Sequence, residues 1–136
     1  MQRLPAVAVK AVVATLMIRG HDDRSCARES LDVHWSHYAR HGAGVALIRQ
    51  VESLRVQDTL AVADQLRSLR VPARIVWGAA DPFQKIRYGE RFARDLAAPL
   101  RRIPSGRHFT PEDHPDLIAG AIQSLQAGAA QGSHRP

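Results

Sequence analysis

Apolar positions along this chain change their period near its middle. Residues 5–20 read PAVAVKAVVATLMIRG, apolar almost throughout, with a proline where a helix tolerates one and a glycine where helices commonly end. This predicts a helix that packs against something. HDDRSCARES follows as a polar connection whose Asp and Ser residues suit a helix N-cap. From Ala27 to about Arg40, Leu31, Trp35 and Tyr38 recur at helical spacing, so a second helix is expected. HGAG breaks it, and a third runs from about Val45 to Leu54. Asp58 then reads as the N-cap of a fourth, with Leu60, Ala63, Leu66 and Leu69 on one face and Val71-Pro72 as the stop.

Beyond Pro72 the pattern is different. ARIVWG is a short, β-branched apolar run bounded by Pro72 and Gly78, which reads as a buried strand. The loop AADPFQ leads to a helix from Tyr88 to Leu96, and APLRRIP reads as a second strand. The turn SGRHF comes next. Pro115 opens a last helix with Leu117, Ile118, Ala121, Ile122 and Leu125 as its apolar stripe. Glu112 and Asp113 sit where negative charge favours that helix's N-terminus. The tail AGAAQGSHRP, residues 127–136, is expected to fray. Strand, helix, strand, helix implies two parallel strands joined by a right-handed crossover. The expected fold class is therefore α/β. Two strands alone do not make a stable sheet, so the pattern reads as one edge of a larger one.

Composition narrows the function. The chain has 136 residues, 45% of them apolar, which suits one domain or a piece of one. Lys10 splits the apolar start into runs too short for the ~20 residues that a membrane span needs. The single cysteine, Cys26, excludes an internal disulfide and fits a reducing, cytoplasmic compartment. Net charge is +6, and arginines account for all but Lys10 and Lys85 of the 19 basic residues. They are scattered, and aromatics are only 5%, which argues against nucleic acid as a partner. His34, His37 and His41 fall on one side of the second helix. They could approach a metal, but no glutamate completes a zinc-type pattern, and a mixed interfacial face is the alternative.

The chemistry concentrates at two loops. Asp81 lies just past the carboxyl end of the first strand and His108 just past the end of the second. Functional residues gather at that end of parallel sheets. A carboxylate that accepts from one imidazole nitrogen fixes the tautomer and supports the imidazolium formed when the other nitrogen takes a proton. Phe83 and Phe109 flank the two loops and are candidates for a substrate-binding wall.

VPARIVWGAADPF followed by LRRIPSGRHFTPEDHPDLIAGAI resembles the C-terminal end of an α/β-hydrolase. The resemblance covers residues 59–126, matches Asp81 to the triad acid and His108 to the triad histidine, and makes residues 1–58 similar to a helical cap. It implies a partial α/β-hydrolase fold, a cap-like segment followed by a β-α-β-α unit. It implies hydrolysis of a small ester, epoxide, halide or similar substrate without metal or cofactor. In that family the nucleophile precedes the acid in a G-x-S-x-G elbow. No such elbow stands before Asp81, and Ser25, Cys26 and Ser30 lie in a polar stretch with no strand ahead of them. The chain is therefore expected to be inactive alone, and to self-associate or pair with a chain that brings the N-terminal half of a hydrolase. The alternative is a non-catalytic interaction or regulatory subunit that pairs its open sheet edge with another chain.

Overall fold

A computed structural model of the chain describes residues 5–132. Helix α1 spans Ala6–Gly20, α2 Arg24–Arg40, α3 Ala43–Ser53 and α4 Val56–Ala63, with a 3-10 turn at Gln65–Ser68. Strand β1 (Ile75–Gly78), helix α5 (Ile86–Asp95) and strand β2 (Leu100–Ile103) follow, then α6 (Thr110–Asp113) and α7 (Pro115–Gly132). The strands pair in parallel, with Ile75 opposite Leu100 and Gly78 opposite Ile103.

The α/β expectation is corrected by this arrangement. The protein is mostly helical, and among the described residues its sheet is two strands of four residues each. A strand inside an α/β sheet is covered on both faces. Here Ile75, Val76 and Trp77 are only half-buried. The apolar core lies between helices instead. Val9, Val13 and Met17 of α1 meet Ala43 of α3, with Leu31, Trp35 and Tyr38 of α2 packed around them. That is helix-on-helix burial, and no strand residue belongs to the cluster.

Local signals explain the first helices. Asp23 caps α2 by accepting from the N–H groups of Ser25 and Cys26, as Asp does at an N-cap. Its carboxyl is held below the usual range by the Ser25 hydroxyl and those N–H groups. The fourth helix departs from expectation: α4 starts at Val56 with Arg55 as its cap, and Asp58 falls inside the first turn. There its charge favours the positive end of the helix without capping it. The helix then gives way to the 3-10 turn, and Val71-Pro72 disfavours any further helical backbone. The expected fraying of residues 127–136 is corrected in part, since α7 continues to Gly132. Residues 133–136 lie outside the described part.

The end of α5 places β2. Ala97 has φ +48°, and the N–H groups of Ala97 and Ala98 reach back to the carbonyls of Arg94 and Ala93. This reversal normally uses glycine. It turns the chain straight into β2, alongside β1. Among the described residues, no helix is long and apolar enough to cross a membrane.

Candidate active site

Two glycines bring the loops after β1 and β2 together. A methyl group on Gly78 would meet the carbonyl oxygens of Gly106 and Arg107 at 2.4 Å. The Cα of Gly78 lies 3.2 Å from where a Cβ on Gly106 would sit. Neither position has room for a side chain, so the end of β1 lies against the SGR turn. The N–H of Ala80 donates to the Gly106 carbonyl at 3.0 Å and closes the two loops on each other.

Asp81 and His108 meet across this junction. His108 Nδ1 lies 3.0 Å from Asp81 Oδ2. A carboxylate only accepts, so Nδ1 carries the proton and Nε2 is the basic nitrogen of the neutral ring. Asp81 Oδ1 accepts from the N–H groups of Phe83 at 2.7 Å and Gln84 at 3.0 Å. Burial opposes the charge on Asp81, but those N–H groups and the His108 ring outweigh it and hold the carboxyl below its usual range. The Asp81 side chain is 5% exposed and that of His108 39%. The acid is thus fixed and shielded while the ring stays accessible. His108 Nε2 makes no hydrogen bond among the described residues.

Phe83 and Phe109 each form a T-shaped pair with the His108 ring, at 5.3 Å between centroids. A cavity of about 180 Å³ opens beside the pair, lined by Trp77, Gln84, Arg107, Thr110 and Pro111 among others. Phe83 and Phe109 do not line that cavity. The first helix reaches the site as well. Arg107 Nη1 donates to the carbonyls of Ile18 and His21, and the Phe109 N–H donates to the Gly20 carbonyl.

A second histidine–aspartate pair lies behind the first. His21 Nδ1 donates to Asp113 Oδ1 at 2.8 Å, and both side chains are fully buried. The other oxygen of Asp113 accepts the Asp22 N–H, and His114 Nε2 donates to the Asp22 carboxylate at 2.8 Å. The doublets His21-Asp22 and Asp113-His114 therefore pair crosswise. Nothing in their separation along the chain points to this; the only trace is that one doublet is the reverse of the other. Glu112 accepts from the Ser30 hydroxyl and lies 3.7 Å from His21 Nε2, which has no hydrogen-bond partner among the described residues. The reading of Glu112 and Asp113 as charges serving the last helix is corrected here. They belong to α6, and Asp113 ties α6 to the end of α1.

No serine or cysteine side chain hydrogen-bonds to His108 among the described residues. Burial, with Asp23, Asp113, Glu29 and Asp22 nearby, pushes the Cys26 thiol up, so it stays protonated at neutral pH. His34, His37 and His41 are exposed on α2 and its cap, and no three His, Cys, Asp or Glu residues among those described are placed to hold a metal ion. Comparison with models of protein families, with curated proteins and with solved structures found no match to this chain.

Proposed function

We propose that the chain carries the acid–base half of a hydrolytic site whose nucleophile comes from outside the chain. The observation that carries this is the Asp81–His108 bond, with Asp81 fixed from behind by two backbone N–H groups. His108 Nε2 takes the proton of the incoming nucleophile, and Asp81 holds the tautomer and offsets the positive charge. The motif likeness to α/β-hydrolases gives the substrate class: a small ester, epoxide, halide or similar molecule. Phe83 and Phe109, packed on His108 but outside the lining of the adjacent cavity, are the proposed apolar neighbours of the reacting group, and no cofactor enters the step.

The proposal has a direct test. The chain alone should cleave p-nitrophenyl acetate without a burst and no faster than free imidazole at the same concentration, because no serine or cysteine among the described residues is bonded to His108 to attack the ester. An added thiol should be acylated faster by wild type than by His108→Ala or Asp81→Asn. Equal rates for all three proteins remove the proposal. A burst that depends on one of the chain's own serines removes the outside nucleophile.

A second reading, an interaction subunit, is favoured by exposed surface. The accessible area is 10028 Å², whereas a compact monomer of this mass exposes about 7,000 Å². Val51, Leu54, Val56 and Leu60 lie more than half exposed on α3, α4 and the link between them. Such a row marks an interface or an aggregation site. One partner that covers it and brings the nucleophile satisfies both readings. Sedimentation at micromolar concentration should show self-association. A 15.0 kDa monomer with cooperative unfolding overturns the second reading.

A further inference from the structure

We infer that the buried His21–Asp113 pair is the positioning element for His108, an inference that rests on the proposed role of His108 as a base. The residues on either side of His108 are held by the last turn of α1 and the residue after it. Arg107 is bonded to the carbonyls of Ile18 and His21 at 3.4 and 3.2 Å, and the Phe109 N–H to the Gly20 carbonyl at 3.0 Å. Between them, a Cβ on Gly20 would lie 3.5 Å from the His108 Cβ and 2.4 Å from the Phe109 ring. The His21 ring stacks on Phe109 at 4.6 Å and 25°, and Phe109 in turn meets His108 edge-on. Support therefore runs from His21 to Phe109 to His108.

The imidazole at position 21 does more than fill space. A buried phenyl would also cover Phe109, but it could rotate about its own axis. The bond from Nδ1 to Asp113 removes that freedom, and Asp113 is itself fixed by the Asp22 N–H. His108 needs such a wall because its ring is 39% exposed and only one of its nitrogens is anchored. Without a fixed Phe109 edge, solvent competes for Nδ1 and the tautomer is no longer unique. The segment that resembles a cap would then act on the base through the His21–Phe109 stack, without touching substrate.

The test reads the histidine nitrogens of the full chain by long-range proton–nitrogen NMR, with the His108 signals assigned by their loss in His108→Ala. Wild type should show His108 as a single tautomer protonated on Nδ1. His21→Phe keeps a ring on Phe109 but loses the bond to Asp113, and should replace that single pattern with exchange-averaged signals. An unchanged His108 pattern in folded His21→Phe overturns the inference while leaving the base reading intact. If wild type itself lacks the Nδ1-protonated form, the base reading falls first. Should His21→Phe not fold, Phe109→Leu removes the stack from the other side, and an unchanged His108 there is equally fatal. In wild type, the His21 Nδ1 proton must exchange slowly with solvent. Its absence beside a persistent His108 pattern also overturns the inference.

Discussion

The protein holds two histidine–aspartate pairs with the same bond and opposite surroundings. In each, Nδ1 donates to a carboxylate that also accepts backbone N–H groups. At His108 the other nitrogen lies on a ring that is 39% exposed, beside a cavity. At His21 the other nitrogen is sealed in, 3.7 Å from Glu112. A base must reach a proton on another molecule, so only the first pair can exchange one with substrate. The second is closed to substrate, and what remains to it is to hold α6 and Phe109 against the end of α1. The same residue chemistry thus yields a candidate base or a brace according to which face of the ring meets water.

The largest expected effect separates the pairs by stability. Asp113→Ala strands a fully buried histidine and should destabilise the chain by about 3 kcal/mol or more, since removing one partner of a buried pair leaves the other uncompensated. Urea unfolding followed by circular dichroism measures it. Gly78→Ala forces a methyl onto two carbonyls and should cost about 2–3 kcal/mol. Unlike the first change it should disturb the Asp81–His108 junction directly, visible as altered His108 nitrogen signals.

A smaller effect is expected at the open pair. Asp81→Asn should cost about 1 kcal/mol at neutral pH, because His108 can turn to solvent when its partner weakens. The sign of its pH dependence follows from the lowered carboxyl of Asp81. A group whose folded value is depressed stabilises the fold above its unfolded value, near 3.8, and loses that contribution as pH falls through the folded value. The gap between wild type and Asp81→Asn should thus close below about pH 4, as the Asp81 carboxyl takes up its proton. A gap that stays open well below about pH 4 contradicts the bonding described for Asp81. The smallest effect leaves both pairs alone. Ala97→Gly relieves the positive φ at the end of α5 and should stabilise by up to about 1 kcal/mol, offering a background in which the other variants stay folded.

Much of the local structure was legible in the chain. Pro5 and Gly20 bracket α1 closely, Asp23 caps α2, and Val76 with Trp77 sits in β1. Caps, stops and β-branched runs act through neighbours in sequence, so their effect is written locally. Asp81 and His108 were legible for a related reason. Each follows directly on a strand, and parallel pairing of those strands sets the loops side by side. The overall class was not legible in this way. The strands were expected to join a larger sheet, yet the structure buries α1 against α2 and α3 and leaves the sheet small. Which apolar face finds a partner depends on what else is folded nearby, and residue periodicity carries no record of that.

The crossed pairs of His21, Asp22, Asp113 and His114 belong wholly to tertiary structure. Their separation of more than ninety residues has no period and no motif. Glu112 and Asp113 looked like charges for the helix that follows, because a carboxylate before a helix start is locally favourable whatever lies beyond. Only the folding of α1 onto α6 showed a buried imidazole waiting for one of them. Sequence by itself determined the longer helices, the two strands and the acid–histidine candidates, through forces that act over a few residues, but not α6. Tertiary packing alone decided which helix faces form the core and which histidine stays open to water, because burial is a property of the whole chain.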